Sequence, residues 1–211
     1  MSIESIQSVT CPECGNTQEF MIFESLNADL DPEAKKQLIQ GTLFDFQCEK
    51  CGHTSHVNYP ILYHDMTHKV MAYYVNPEQV EKTAEALMNV DTLTGNDMTG
   101  YRRRVVTSQN ELREKAIIFD CELDDRIIEI IKLIYLAQAR SQFPEANFVE
   151  ARFMIMDGKQ LLVFIGDESV SAELDPAIYA QVQADFAERL EKAGDNDPVV
   201  DVEWVSRFLN D

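Results

Sequence analysis

Two short cysteine motifs have the residue types and the spacing that bind a metal ion. The motifs are Cys11-x-x-Cys14-Gly15 and Cys48-x-x-Cys51-Gly52. Each one is a turn that points two thiolates at a single position, and its glycine permits the positive φ that lets backbone amides approach sulfur. Four thiolates at the corners of a tetrahedron form the closed coordination shell of structural zinc. The sequence therefore predicts one zinc ion held by Cys11, Cys14, Cys48 and Cys51, with no position left for water or a substrate.

Other uses of these cysteines stay open as alternatives. Iron in a rubredoxin-like site takes the same four thiolates and would colour the protein red-brown. A redox-active pair is disfavoured, because such a pair occurs singly at the start of a helix, whereas this sequence has two pairs and neither opens a helix. A set of thiols without any metal is the third alternative. His53 could replace one cysteine as a ligand, but four thiolates already complete the shell.

The segment between the two motifs contains the elements that must bring them together. Its 33 residues exceed the roughly 15–20 of common zinc ribbons. A strand over 19–26 and a helix that begins at Asp31-Pro32 and ends at Gly41 account for the excess. Further strands are predicted over 43–46, 57–63 and 69–75. We therefore expect residues 1–75 to form a zinc-ribbon-like β-sheet domain with one inserted helix.

Two further segments complete an α+β fold class. Residues 76–142 form a helical segment, with helices predicted over 76–90, 108–119 and 124–142 and a loop over 91–100. Ser108 and Glu111 fit a capping box at the start of the second helix. Residues 143–211 form a C-terminal α/β segment, in which a hairpin turns at Asp157-Gly158, a helix follows over 175–193, and Trp204 and Phe208 anchor the end.

The helix over 124–142 is apolar on nearly every side. Only a narrow stripe of Arg126, Glu129 and Lys132 interrupts its isoleucines and leucines. A helix of this composition is buried. It forms either the centre of the core or part of an interface between subunits.

The composition is that of a globular protein, since 45% of the 211 residues are hydrophobic and 26% are charged. The sequence after Met1 has neither the basic region nor the apolar stretch of a signal peptide. No apolar run approaches the roughly 20 residues that span a bilayer. We therefore expect a cytoplasmic protein, a setting in which cysteines bind metal or stay free.

The formal net charge of −19 disfavours nucleic acids and anionic membranes as partners. A nucleic-acid binder carries a basic face, because neutralising phosphates supplies most of its affinity. Arg102-Arg103-Arg104 is the one basic cluster. We interpret it as a solvated strand edge rather than a phosphate site.

A second group, His64-Asp65-x-x-His68, contains the residue types of an acid–base or metal site. On one strand, residues 64 and 68 would lie about 13 Å apart, so only a tight turn would join them. The simpler interpretation is that Tyr63, His64 and Asp65 fix the ends of strands through hydrogen bonds. Both interpretations stay open.

Cys121 and the acids after it have ordinary structural explanations. The thiol is a small apolar side chain between two predicted helices, and all histidines lie in another part of the chain. Asp124 and Asp125, which follow Glu122, suit the N-terminus of a helix. No catalytic or cofactor-binding residue is predicted.

Several stretches of residues 1–75 occur together in one known pattern. They are Cys11-Pro12-x-Cys14-Gly15, the segment Ser-Leu-Asn-Ala-Asp-Leu-Asp-Pro over 25–32, Gly41, Cys48-x-x-Cys51-Gly52, and Leu62-Tyr63-His64-Asp65. Together they resemble the CpXC domain, a bacterial and archaeal family named for its cysteine motif. The resemblance continues more weakly through Val105–Ile131, with Glu114-Lys115 and Asp124-Asp125-Arg126. It implies a zinc-ribbon-like domain and assigns no activity; Glu49 stands where the family often has proline.

Three functions follow as hypotheses. The first is a non-enzymatic protein-interaction module stabilised by zinc, which the closed metal site and the acidic surface favour. The second is association with nucleic acid by analogy with other zinc ribbons, which requires Arg102–Arg104 to share one face with Lys35, Lys36 and Lys50. The third, least favoured, is an enzyme centred on His64 and Asp65.

Overall fold

The computed structural model describes residues 2–89, 98–195 and 197–210. These residues form two compact units, Met1–Arg113 and Glu114–Asp211. Helices and strands occur in both, which confirms the α+β class. The division into segments 1–75, 76–142 and 143–211 stays a prediction, and most of the loop expected over 91–100 lies outside the described residues.

The elements of the first unit are β1 Ile3–Thr10, β2 Thr17–Asn27, α1 Pro32–Gln40, β3 Asp45–Gln47, β4 Thr54–His56, β5 Ile61–Asp65, β6 Val70–Tyr74, a 3₁₀ turn Pro77–Gln79, α2 Val80–Met88, β7 Arg102–Val106 and the start of α3, Gln109–Asp120. They include a five-stranded sheet in the order β1-β2-β5-β6-β7 and a two-stranded sheet of β3 and β4. Within the five-stranded sheet, β2–β5 and β6–β7 are parallel and the other pairs are antiparallel.

Strands β1, β4 and β5 of this unit differ from the prediction. Strand β1 was not predicted, because its side chains do not alternate between apolar and polar, and the short strand β4 was not predicted either. The single strand expected over 57–63 was wrong, since β4 ends before it and β5 begins only at Ile61. Pro60 lies directly before β5 and has no N–H group to donate to a ladder, which explains the interruption.

The predicted ends of α1 are confirmed. Pro32 occupies the first turn, and Gly41 ends the helix with a φ of 81°, donating its N–H to Leu38 and Gln37 carbonyl oxygens. Asp31 precedes the helix but does not cap it with its side chain, because its carboxylate accepts a hydrogen bond from the Ser2 hydroxyl. Glycine is required at the end of α1 because that backbone conformation is strained for residues with a Cβ.

The second unit contains the rest of α3 and a three-stranded antiparallel sheet in the order β10-β9-β8. Its elements are α4 Asp125–Gln142, a 3₁₀ turn Pro144–Ala146, β8 Glu150–Met156, β9 Lys159–Ile165, β10 Ser169–Glu173, α5 Pro176–Ala193 and α6 Val202–Asn210. The hairpin turn is confirmed, because Asp157 and Gly158 both have positive φ, at 51° and 75°. Strand β10 was not predicted.

Helix α4 forms the centre of the core of the second unit. It packs against β8, α5 and α6, and its isoleucines at 127, 128, 130 and 131 are buried. The core interpretation of this helix is therefore the one observed. The Trp204 ring stacks on Phe208 with centroids 4.9 Å apart, and both are buried as expected of anchors.

Two residues of the polar stripe of α4, Glu129 and Lys132, belong to a largely buried network of ion pairs, whereas Arg126 pairs with Asp124. The network contains three acids and three bases: Glu114, Asp125, Glu129, Lys115, Lys132 and Arg152. Lys132 Nζ lies 3.0 Å from carboxylate oxygens of Glu114 and Glu129. Lys115 Nζ lies 2.8 Å from Asp125 and also donates to the Val200 carbonyl oxygen. Charges buried at this depth are tolerated because each one has partners of opposite sign.

Among the described residues, no helix is both long enough and apolar enough to cross a membrane.

Candidate metal centre

Each cysteine motif forms the tip of a β-hairpin. The first motif lies between β1 and β2, and the second lies between β3 and β4. The two tips meet, so that the two sheets of the first unit are joined at the four cysteines. This arrangement is typical of a zinc ribbon, in which the turns supply the metal ligands and the strands supply none.

The two turns have the same backbone geometry. In the first, Cys11 N donates to the Asn16 carbonyl at 2.8 Å and Gly15 N donates to the Cys11 carbonyl at 3.0 Å. In the second, the matching bonds run from Cys48 N to His53 and from Gly52 N to Cys48, at 2.9 and 2.8 Å. Gly15 and Gly52 have φ of +70° and +75°, with no atom near the position of a Cβ. Backbone conformation, not space, therefore requires glycine in both turns.

The four sulfur atoms have the spacing of a metal tetrahedron. All four lie within 4.8 Å of one another. Two distances across the turns are 3.7 Å from Cys11 Sγ to Cys51 Sγ and 3.6 Å from Cys14 Sγ to Cys48 Sγ. A tetrahedron with metal–sulfur bonds of about 2.3 Å has sulfur–sulfur edges of about 3.8 Å. These distances fit a shared metal ion and exclude disulfides, whose sulfurs are about 2.05 Å apart.

An apolar cluster surrounds the sulfur atoms on the protein side. Cys11, Phe46 and Cys48 are buried together, with Val9, Cys14, Phe20 and Val57 packed around them. The rings of Phe20 and Phe46 meet edge to face, with centroids 5.8 Å apart. Cys51 is exposed, so the centre is covered on one side and faces solvent on the other. The apolar side chains of this cluster lower the local dielectric constant, which strengthens the attraction between thiolates and a cation.

The thiols differ in how readily they lose a proton. Burial raises the pKa of Cys48, but hydrogen bonds from the backbone N–H groups of Cys51 and Lys50 outweigh it and lower that pKa to about 6. The N–H of His53 lowers the pKa of Cys51, yet burial and the neighbouring sulfur atoms raise it to about 12. The Cys48 thiolate thus forms readily, whereas Cys51 keeps its proton. A divalent cation would displace that proton, as metal binding to cysteines does.

Gln18 links the two hairpins beside the cysteines and was not identified from the sequence. Its Nε2 donates to the Gln47 carbonyl at 3.0 Å, and its Oε1 accepts from Glu49 N at 2.9 Å. Asn16 Nδ2 donates to the same Oε1 at 3.4 Å and approaches Cys48 Sγ at 4.0 Å. No local pattern marks a side chain whose two partners lie about thirty positions away in the sequence.

One family model, described as CpXC protein, matches residues 9–132. This chain belongs to the CpXC family. The matched stretch contains both cysteine motifs, Gln18 and the first part of α4. No curated protein and no solved structure matches the chain.

Two nearby histidines of this CpXC chain lie outside the group of sulfur atoms. His53 contributes its backbone carbonyl oxygen to the second turn, where it accepts from Cys48 N. His56 Nδ1 lies 2.7 Å from Asp45 Oδ1, its cross-strand partner in the two-stranded sheet. Of the described residues, the group that could hold a metal at this position consists of the four cysteines.

The His64, Asp65 and His68 group forms two separate contacts in the first unit. Asp65 is 1% exposed, and its oxygens accept hydrogen bonds from Tyr63, Lys35 and the N–H of His68. A turn after β5 brings His68 Nδ1 within 2.9 Å of Asp65. His64 instead approaches the Tyr101 hydroxyl at 3.2 Å. Burial raises the pKa of Asp65, but hydrogen bonds from His68 and the charge of Lys35 outweigh it, so the pKa is lowered.

This hydrogen bonding agrees with the structural interpretation of the group. A carboxylate that accepts bonds from an ammonium group, a phenol and a backbone amide has little capacity left for a substrate. Burial also lowers the pKa of His64. His64 is therefore a neutral hydrogen-bonding side chain at neutral pH.

The arginine cluster lies on edge strand β7, but it is not uniformly solvated. Arg104 is fully buried, and its Nη1 donates to the Arg103 carbonyl. Arg103 donates to the Met88 carbonyl at 3.3 Å. Consecutive side chains of a strand point to opposite faces, so Arg102–Arg104 do not form one continuous basic surface. The expectation of a solvated edge was wrong for Arg104.

Cys121 and Asp124 have the ordinary roles expected of them. Burial raises the pKa of the Cys121 thiol, and Asp120 adds to this, although a hydrogen bond with Gln160 lowers it. A thiol with a raised pKa is a poor nucleophile. Asp124 accepts from Arg126 N and caps α4. Asp125 is buried in the ion network, where it contacts Lys115.

Proposed function

We propose that this CpXC protein is a non-enzymatic protein-interaction module whose N-terminal unit is stabilised by one structural zinc ion. The observation that carries the proposal is the cluster of four cysteine sulfur atoms within 4.8 Å of one another. Four thiolates complete the shell of zinc, so the ion would have no open position at which to activate water or a substrate. Its contribution would be to folding, on the order of 10 kcal/mol.

The role of zinc would follow from where the ligands lie. Residues Cys11 and Cys14 close the β1–β2 hairpin, and Cys48 and Cys51 close the β3–β4 hairpin. An ion bound to all four would cross-link two sheets that are otherwise joined by a small apolar cluster and the Gln18 side chain. Thiolates persist in a reducing compartment, so the proposal places the protein in the cytoplasm. Iron would suit the same donors, and a red-brown colour would identify it.

Strand β1 supports an interaction role. It lies at one edge of the five-stranded sheet, so one side of its backbone pairs with no other strand among the described residues. Ile6 is 67% exposed, and its cross-strand neighbour Met21 is exposed too. Ile3 on the same strand is also exposed. A long edge strand with exposed apolar side chains is a template to which a partner can add a strand.

The other two hypotheses receive less support. For nucleic acid, the net charge of −19 opposes binding, and a buried Arg104 cannot contact a phosphate. An enzyme at His64 and Asp65 is disfavoured because the Asp65 carboxylate already forms hydrogen bonds with three side chains and a backbone amide. Both observations leave the interaction module as the best-supported function.

The interaction role is tested by crosslinking in host cells, followed by purification with and without nuclease. We expect partners that resist nuclease and salt, and that are lost from Ile6→Lys, which places a charge on the β1 edge. The matched control is Ile155→Lys, because Ile155 is an exposed apolar residue on strand β8 of the other unit. Recovery that depends on nuclease or salt, with no effect of Ile6→Lys, would favour nucleic acid and contradict the proposal.

A further inference from the structure

A cavity of about 280 Å³ lies within the first unit, apart from the cysteines. Its walls include apolar side chains and the start of α3: Leu38, Phe44, Tyr74, Gln109, Asn110 and Arg113. This volume is close to the lower end of small-ligand pockets, which begin at about 300 Å³. The mixture of an apolar wall and several polar groups resembles the lining of such pockets.

Tyr74 is the most informative residue of the cavity. The residue is only 7% exposed, and its ring packs edge-on against Phe44 with centroids 6.2 Å apart. Within the described part of the chain, its hydroxyl forms no hydrogen bond. Burial and the charge of Glu111 raise the pKa of this phenol, so it keeps its proton at neutral pH. A hydroxyl that lines a cavity and has no partner among the described residues is available to donate a hydrogen bond to a ligand.

Arg113 provides a positive charge on the same cavity. Its Nε donates to the Ile39 carbonyl at 2.6 Å, which fixes the plane of the guanidinium. A Cβ at Gly41 would lie only 3.2 Å from Arg113 Nη1, so glycine gives the guanidinium its space. Apart from Nε, the guanidinium has no acceptor among residues that the structure describes. Two N–H donors of a fixed planar group are thus available to a carboxylate in bidentate geometry.

The first turn of α3 supplies further donors. Ser108 Oγ accepts from Glu111 N, and the Glu111 carboxylate accepts from Thr107 N and its hydroxyl. The bond from Glu111 N to Ser108 that the expected capping box requires is therefore present, whereas the reciprocal bond of the Glu111 carboxylate is made with Thr107 instead of Ser108. The N–H groups of Gln109 and Asn110 donate to no side chain within the described part of the chain, and the N-terminus of a helix attracts negative charge.

We infer that this cavity binds the carboxylate of a small, partly apolar ligand, between the Arg113 guanidinium, the Tyr74 hydroxyl and the first turn of α3. The inference goes beyond the proposed interaction role and does not depend on it. The carboxylate would accept from Arg113 and Tyr74, while the apolar part of the ligand would contact Leu38 and Phe44.

The surrounding charges favour a monoanion. Glu111 lies near the Tyr74 hydroxyl and would repel a dianion such as a phosphate monoester. His56 lines the cavity but is already paired with Asp45, so Arg113 is the main source of positive charge. The chain carries a net charge of −19, but salt screens distant charges over a Debye length of about 8 Å at physiological ionic strength. Local charges at the cavity therefore decide what binds.

Such a carboxylate could belong to a free acid or to the C-terminus of a peptide, and four probes distinguish these sources. The probes are 4-methylpentanoate, acetyl-alanyl-leucine and their two carboxamide counterparts, titrated into the full chain by ¹⁵N-resolved NMR. We expect a carboxylate to shift the amide resonances of Gln109, Asn110 and Gly41 saturably, and its carboxamide to bind at least about tenfold more weakly. Tighter binding of the peptide would identify a C-terminus, and tighter binding of the free acid would identify a small metabolite.

Two variants locate the binding. Arg113→Gln should weaken carboxylate binding about tenfold or more, the effect of losing a charge-assisted pair. Tyr74→Phe removes only the hydroxyl and should weaken it about threefold to tenfold without disturbing the packing on Phe44. The controls are Arg140→Gln, whose Nε also donates to a backbone carbonyl, and Tyr73→Phe on the opposite face of β6. No saturable shift with either carboxylate, or equal binding by Tyr74→Phe and Tyr73→Phe, would overturn the inference.

Discussion

The two units of this protein place polar groups in their interiors in contrasting ways. The first unit brings together four identical donors, all cysteines, that could hold a metal ion and that the proposed zinc would stabilise. The second unit contains three buried acids, the buried Lys115 and two partly buried bases, and these charges neutralise one another without any added ion. On the proposed function, the two units meet the cost of burying charge in two ways: the first depends on a component from outside the chain, and the second is internal to the chain.

The two solutions should respond differently to metal and to mutation. Loss of the metal should affect the first unit and leave the ion network intact. Loss of one charge from the network should affect the second unit, because the remaining charges no longer balance one another. The predictions below test this contrast, from the largest expected effect to the smallest.

Removal of the metal should cause the largest change. Chelation, or Cys48→Ser, should cost the first unit on the order of 10 kcal/mol of stability, because metal binding is coupled to folding. Hydrogen exchange measured by mass spectrometry should show lost protection in β1–β4 and retained protection over Glu114–Asp211. Cys121→Ser is the matched control and should keep metal and protection. Equal loss of protection in both units would contradict the claim that only the first unit depends on the metal.

Lys132→Met should destabilise the second unit by about 3–5 kcal/mol, since Glu114 and Glu129 would then face each other without their shared partner. The free energy of unfolding is measured with urea. Lys159→Met is the matched control, because the Lys159–Glu173 pair is exposed and such pairs contribute less than about 1 kcal/mol. Similar losses in both variants would show that the buried network is no more important than a surface pair.

Asp65→Asn should lower stability at neutral pH by about 1–3 kcal/mol, the cost of weakening a buried charged hydrogen-bond acceptor. The pKa of Asp65 is lowered from its ordinary value of 3.8, chiefly through His68 and Lys35 against the effect of burial. Its contribution is therefore present above pH 3.8 and is lost as the pH falls through the folded-state pKa. Acid titrations of thermal stability should be flatter for Asp65→Asn than for the exposed-site control Glu188→Gln. Parallel curves would contradict this assignment.

Gln18→Ala should have the smallest effect, about 1 kcal/mol, because the hydrogen bonds that it removes lie in a partly exposed position. It should also release the metal faster to a chelator, since the two hairpins would no longer be linked beside the cysteines. Gln7→Ala, on the exposed edge strand β1, should leave both stability and release rate unchanged. A wild-type release rate for Gln18→Ala would show that Gln18 does not stabilise the metal centre.

Features that depend on a few consecutive residues could be predicted from the sequence in both units. The cysteine turns, the ends of α1 at Pro32 and Gly41, and the Asp157-Gly158 hairpin depend on local backbone requirements. Such requirements are visible in three to five consecutive residues, so these predictions agree with the structure. The edge strand β1 was missed because most of its side chains are exposed on both faces, which removes the alternation that marks a strand.

Partnerships between distant residues could not be predicted in the same way. Glu114 and Lys132 lie on different helices, and Arg152 lies on a strand, so only the tertiary fold shows that they neutralise one another. Arg104 was expected in solvent because charged residues are rarely buried. The cavity at Tyr74 and Arg113 likewise has no sequence signature, since its lining comes from several elements.

The central claim is tested most directly by the metal content of the full chain, purified without added metal and measured by elemental analysis and native mass spectrometry. We predict one zinc ion per chain, retained by Cys121→Ser and lost from Cys48→Ser. A full equivalent of iron in a red-brown protein would replace zinc in this account. A metal-free chain that keeps its fold, with all four cysteines open to alkylation, would contradict it.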